Sequence, residues 1–272
     1  MENNGKNSID LNTPEKIIEV KNLNKFYGSK HILKDVSFNV NKGDVISIVG
    51  PSGSGKSTIL KCLNFLEKPN SGDILFHGKN VGKTMKNGQL VNTKERDLLK
   101  YRAKVGMVFQ HFNLFPHMTV LENIIEAAVF VNKMDRKDAV EEAKMLLNKV
   151  LLYDKEKSYP SQLSGGEQQR VAIARALIMH PEVILFDEAT SALDPETVGE
   201  VLKTMSDLAR DGMTMVVVSH EMQFVRESSK ETIFLYNGSI LEHGRTEDVL
   251  SSDKPECTRF FSRITDYRES HS

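Results

Sequence analysis

Tryptophan is missing from these 272 residues, and cysteine occurs only as Cys62 and Cys257. Two cysteines cannot build the framework of bridges that small secreted domains rely on, so a packed core and a reducing cytosol are expected. An excess of charge is lacking too. The 36 basic residues face 37 acidic ones, for a formal net charge of −1. No overall positive field attracts nucleic acid, which is not expected among the partners. Apolar runs long enough to span a bilayer are absent, so any membrane contact has to come through a partner. Met1 to Glu15 is polar and rich in Asn, without the apolar centre of a signal peptide. Residues 1–16 read as a disordered leader. No internal repeat is evident. What is present is a globular composition, long enough for one large domain or two small ones.

The most informative stretch is Gly50-Pro51-Ser52-Gly53-Ser54-Gly55-Lys56-Ser57. It fits the phosphate-loop pattern G-x-x-x-x-G-K-[ST] at every fixed position. Asp44 to Val49 before it reads as a buried strand, and Thr58 to Leu66 after it as a helix. Small residues let backbone N–H groups turn onto phosphate oxygens, and the helix dipole favours the negative charge. Lys56 is expected to reach the outer phosphates and the Ser57 hydroxyl to ligate magnesium. A glycine-rich turn with a chance lysine is the plainer alternative, which the flanking strand and helix argue against. The chain reads as binding a nucleoside triphosphate.

The apolar run Val183 to Phe186 suits a strand buried on both faces, and it delivers Asp187 and Glu188 at its C-terminal end. Ligands of parallel α/β sheets bind at those ends. Asp187 is expected to hold magnesium and Glu188 to act as general base for a water attacking the γ-phosphate. A solvated acidic turn is the alternative. Leu163-Ser164-Gly165-Gly166-Glu167-Gln168-Gln169-Arg170 opens another helix. Ser164, Gly165 and Gly166 then form a second helix start fit for phosphate. Alone, that segment reads better as an ordinary serine–glycine helix start. One triphosphate needs one glycine loop, so a second anion site suggests two chains sharing nucleotides. Gln110, expected to end the strand Val105 to Gln110, is a candidate magnesium ligand. His220, after Met215 to Val218, is a candidate partner of the γ-phosphate.

The pattern predicts an α/β fold. Its phosphate-loop core has a mainly parallel sheet, joined by an antiparallel β subdomain and a helical subdomain at about 111–165. Ile17 to Val20 and Val36 to Val40 read as antiparallel strands. Asn80 to Arg102 reads as an excursion, a hairpin turning at Asn87-Gly88 and then a short helix. Thr119 to Glu122 reads as a capping box, and Lys137 to Val150 and Glu196 to Arg210 as helices. Cys257, Phe260, Phe261 and Ile264 share one helical face.

With these elements in this order, the chain resembles the ATP-binding cassette family from about Ile17 to Ile264. Leu163 to Gln169 is that family's signature peptide. The resemblance implies ATP and Mg2+ as ligands and a single ATPase domain over 17–264, followed by a tail at 265–272. It implies that Tyr27 stacks on adenine and that Gly50 to Thr58 (Gly50, Pro51, Ser52, Gly53, Ser54, Gly55, Lys56, Ser57 and Thr58) hold the phosphates. Gln110 would be the hinge to the helical subdomain. Asp187 and Glu188 would be the magnesium and base positions. Ser191-Ala192-Leu193-Asp194 would cross a dimer interface, with Asp194 beside the nucleotide, and His220 would be the switch histidine. Ala189 departs from the family, which usually has proline there. Asn64 to Pro69 and Val108 to Asn123 are similar to ATPase subunits of bacterial polar amino-acid importers. The excursion around Asn87 to Val91 resembles the histidine and basic amino-acid branch. The implied partners are a second copy in an ATP sandwich, integral membrane permease subunits and, indirectly, an extracytoplasmic solute-binding protein. The implied place is peripheral, on the cytoplasmic face of the bacterial plasma membrane. An importer of another small solute, or an ATP-triggered dimeric clamp without transport, is the alternative. Phe112, Leu114, Phe115 and Met118 read equally as a docking surface for the permease or as satellite core beneath a loop.

Overall fold

The computed structural model describes residues 15–86 and 88–269, with side chains through 263. Most of the expected leader, Asn87 of the expected turn, the Ile264 side chain and residues 270–272 of the tail lie outside the described residues. The described chain opens with β1 (Lys16–Tyr27) and β2 (Lys30–Asn41). β3 (Val45–Val49) leads through the glycine turn into α1 (Lys56–Leu63). Then come β4 (Ser71–Phe76), β5 (Lys79–Asn80), the hairpin β6 (Lys83–Lys86) and β7 (Gln89–Asn92), and α2 (Glu95–Lys104). β8 (Val105–Val108) precedes α3 (Val120–Phe130), α4 (Arg136–Lys149) and α5 (Gly165–Leu177). β9 (Val183–Asp187), α6 (Pro195–Arg210), β10 (Met215–Val218) and α7 (Met222–Ser228) follow. The described chain closes with β11 (Glu231–Tyr236), β12 (Ser239–Arg245), α8 (Thr246–Leu250) and α9 (Pro255–Glu269).

The main sheet has the order β12-β11-β3-β10-β9-β8. All its neighbours are parallel except the edge pair β11–β12. An antiparallel sheet of order β2-β1-β4-β5 covers one side. β1 and β2 run well beyond the short alternating segments visible in sequence. Register shifts between Val20 and Leu23 interrupt the two-residue period, and Asn22 sits at φ 47, yet pairing resumes at Leu23 with Val36. The helix after the glycine turn begins at Lys56 instead of Thr58. It ends by Leu63, because Phe65 adopts a left-handed φ of 55 that a helix cannot continue. The strand expected to reach Gln110 stops at Val108, where its ladder with Phe186 of β9 ends.

Alternate residues of the parallel strands feed different cores. Ile46, Ile48, Val216 and Val218 pack with Ile59 and Leu60 of α1 and with Ile18 and Val36 of the antiparallel sheet. Ile184, Phe186, Met215 and Val217 pack instead with Ile173 of α5 and Val201 and Met205 of α6. A third cluster joins α3, α4 and α5 through Ile124, Ala143, Leu147, Val171 and Ala174. Cys257, Phe260 and Phe261 of α9 close a fourth around Phe234.

The irregular stretch 109–119 is held by side chains. Fully buried Asn123 accepts from Phe115 N at 2.7 Å and donates to the carbonyls of Phe115, Met118 and Thr119 at 3.1, 3.2 and 3.0 Å. Thr119 and Glu122 form the expected capping box of α3. Asn123→Ala strands these buried groups. We expect a loss of about 2 kcal/mol in a urea melt, within the range for unsatisfied buried partners.

Candidate functional site

The glycine turn joins the end of β3 to α1. Gly50 has φ 142, and a Cβ there would lie 2.1 Å from the Leu235 carbonyl oxygen, so no side chain fits. Lys56, 4% exposed, folds back over the turn. Its Nζ donates to the carbonyls of Gly50 at 2.9 Å and Pro51 at 3.3 Å, and lies 3.8 Å from Glu188 Oε1. Burial pushes its ammonium pKa down, while Glu188 and Asp187 pull it back up. No side chain caps α1 at Gly55, so none competes for the amides of its first turn. Ser54 Oγ is buried without a partner. Pro51, Ser52, Gly53, Ser57 and Thr58 belong to the same turn and first helical residues, with Ser52 and Gly53 exposed.

β9 brings Asp187 and Glu188 to the same end of the sheet. Asp187 pairs with Val218 of β10, and Glu188 N donates to the Val218 carbonyl at 3.0 Å. Burial pushes the Asp187 carboxyl up, opposed first by a hydrogen bond from Ser57. Asp187 Oδ1 is buried, with no hydrogen-bond partner among the described residues. Glu188 sits in the left-handed region at φ 50, a strain of roughly 1 kcal/mol kept where the surroundings impose it. His220 Nε2 lies 3.3 Å from Glu188 Oε1, and Ser191 Oγ 3.5 Å from Oε2. The hydrogen bond with His220 is the main reason the Glu188 carboxyl is held below its ordinary range. Gln110, half-buried, lies just past the end of β8, the strand beside β9. Gln169 Nε2 holds the Phe109 carbonyl at 3.1 Å, and Arg175 holds those of Phe112 and Asn113 at 3.0 and 2.7 Å. The segment carrying Gln110 is therefore tied to α5 on both sides. Tyr27 stands exposed at the end of β1.

The structure places Ser164, Gly165 and Gly166 at the start of α5. Ser164 is exposed and forms a capping box with Glu167. A Cβ on Gly166 would meet Thr197 Cβ of α6 at 2.8 Å, so the glycine allows α5 and α6 to pack closely. Exposed Asp194 precedes α6 and caps it with no side-chain bond. Among the described residues, no hydrogen bond or ion pair joins Ser164, Gly165 or Gly166 to Lys56, Asp187, Glu188 or His220. The expected site residues thus form two groups in one chain. Lys25, buried in β1 beside the Tyr27 ring, and Gln169 and Arg175 of α5 were given no individual role from the sequence. The available signal was a lysine inside a strand and polar side chains on the buried side of a helix. Phe112 and Leu114 are half-buried and Phe115 is 44% exposed, so the apolar cluster is core at one end and surface at the other.

The sequence pattern of the ABC transporter family matches residues 33–191, more than half of the chain. The chain belongs to that family. An arginine/ornithine transport ATP-binding protein of Pseudomonas aeruginosa is 52% identical over 245 residues, covering 90% of this chain and 96% of the relative. An L-cystine import ATP-binding protein of Bacillus subtilis is 52% identical over 249 residues, covering 91% and 98%. A dimeric ATP-binding cassette solved in a post-hydrolysis state with ADP and phosphate superposes with a TM-score of 0.73 at 35% identity, covering 85% of this chain and 99% of that one. These likenesses cover 85–91% of this chain, and the family match takes in both the glycine turn and the start of α5. Among the described residues no helix is long and apolar enough to cross a membrane.

Proposed function

We propose that this ABC chain is the ATP-hydrolysing subunit of an importer for polar, basic amino acids. One observation carries the reading. A phosphate turn with a buried lysine faces two strand-end carboxylates, while Ser164 at the signature turn of the same chain stands exposed and apart from them. A second copy completes the site. The glycine turn of one copy and Ser164, Gly165 and Gly166 of the other hold one ATP from opposite sides, with Asp194 at the seam. Tyr27 takes the adenine. Lys56 and the free amides of α1 bind the phosphates.

The residues present fit magnesium. The unpartnered Asp187 Oδ1 and the Ser57 hydroxyl supply hard oxygen ligands, and Gln110 lies at the same sheet end. Among the described residues no cluster of His, Cys, Asp and Glu could hold a metal by itself. This suits an ion held jointly with phosphate. When bound, it supplies positive charge beside the phosphate oxygens. Glu188, kept ionised by His220, accepts the proton of the attacking water, and His220 contributes a donor near the γ-phosphate. ATP favours the closed pair because it bridges both turns, and hydrolysis removes the bridge. The helical region of about 111–165 moves with Gln110 as its link to the core. Permease subunits follow it from the cytoplasmic face of the membrane, and a solute-binding protein delivers the cargo outside.

The test is purification of this chain from membranes with whatever integral subunits accompany it, then reconstitution in vesicles with labelled amino acids. ATP-dependent uptake of arginine, ornithine or histidine is the expected result. ATP hydrolysis with another transported solute would move the cargo reading. Hydrolysis by a dimer that retains no integral subunit would favour the clamp.

A further inference from the structure

Lys25 is a lysine at 8% exposure in β1, two residues before Tyr27. The strand register shifts between Lys25 and Phe26, and the two side chains nonetheless meet. A buried ammonium is costly unless paired, and this one is fully paired. Its Nζ donates to the Lys68 carbonyl at 2.9 Å and lies 2.8 Å from Glu67 Oε2. It also stands over the Tyr27 ring, 5.0 Å from the centroid. Burial first, and then the Glu67 carboxylate, push the Tyr27 hydroxyl pKa up, which puts that same carboxylate near the ring. The ring is therefore faced on one side by a cation that is itself paired with its counter-ion. Glu67 and Lys68 belong to the loop that follows α1, so this network also ties the end of β1 to the helix that starts at the phosphate turn.

We infer that Lys25, with Glu67, is a positioning residue that fixes the Tyr27 ring as a preorganised stacking surface for the adenine of ATP. The inference rests on the reading of Tyr27 as the adenine contact. Two physical effects follow from the contact. A cation over one face withdraws π density, so the opposite face stacks better on an electron-rich purine. A ring already held against the cation loses less rotamer freedom when the base arrives. Both effects act at the ring, so they bear on base recognition and not on the phosphates.

The experiment uses the full-length chain and two probes, ATP and inorganic tripolyphosphate, with affinity read by calorimetry. Lys25→Met keeps the side-chain length and removes the charge. It should weaken ATP by about fivefold, the scale of one cation–π contact, and leave tripolyphosphate unchanged. Lys25→Arg should restore most of the ATP affinity. Tyr27→Ala should show an ATP loss at least as large, and adding Lys25→Met to it should cost nothing more. Should Lys25→Met fail to fold, Glu67→Gln, at a partly exposed side chain, makes the same comparison between the two probes. Unchanged ATP affinity in the Lys25 or Glu67 variant overturns the inference. So does an equal loss for both probes, which marks a merely structural role, or a further loss on top of Tyr27→Ala. If Tyr27→Ala itself binds ATP normally, the adenine reading of Tyr27 fails and takes this inference with it. That outcome is distinguishable, because it appears in the Tyr27 variant alone.

Discussion

Glu188→Gln should retain ATP binding and lower turnover by roughly 10²-fold or more, the loss typical of a missing general base. The amide keeps the size and the left-handed backbone of residue 188, so the geometry around it survives. It still meets His220 and Ser191, which lie within 3.3 and 3.5 Å of the carboxylate oxygens. Only the basic oxygen is lost. Single-turnover hydrolysis and nucleotide titration on the partner-bound protein separate the two quantities. Normal turnover would remove Glu188 from the base role. The native carboxylate also sets a pH dependence. Its folded pKa lies below the ordinary value, chiefly through the hydrogen bond with His220. The ionised form therefore stabilises the fold above the usual carboxylate range, and that contribution is lost as pH falls through the lowered value. The acid limb of kcat/KM, which reports the free enzyme, should fall below the ordinary glutamate value of about 4.3.

Lys56→Ala should weaken ATP by roughly ten- to a hundredfold, the scale of a lost charge-assisted hydrogen bond to phosphate. Three effects act together. The ammonium that faces the phosphates disappears. The carbonyls of Gly50 and Pro51, which accept from it at 2.9 and 3.3 Å, lose that donor. Asp187 and Glu188 lose their shared neighbouring cation, so phosphate would enter a site of unbalanced negative charge. Calorimetry with ATP checks this. An unchanged affinity would mean that the glycine turn is not the phosphate site. Lys56→Arg should not rescue fully, because a larger planar head does not fit a position only 4% exposed.

Much of this was legible in the residues. The phosphate turn declares itself because its glycines answer a backbone need that local sequence records. Gly50 at φ 142 against Leu235 is the clearest example. The runs before Asp187 and Ser219 are apolar on both faces, and strands inside a parallel sheet require that. Element ends were less legible. Val108 ends its strand where the pairing with Phe186 runs out, and Phe65 ends α1 by a backbone turn, neither of which apolar spacing reports. Lys25, Asn123, Gln169 and Arg175 look like ordinary polar residues until the fold supplies their partners.

Local chemistry, written in short stretches, was therefore enough to specify the glycine turn before α1, the acidic end of β9 and the serine–glycine start of α5. The tertiary structure alone decided which of these meet. Parallel pairing of β9 and β10 sets Glu188 beside His220 and across from Lys56, joining residues far apart in the chain. Helix packing holds Ser164 away from them and leaves it exposed. Such juxtapositions depend on strand order and on which faces are buried together, and no short window of sequence contains that information.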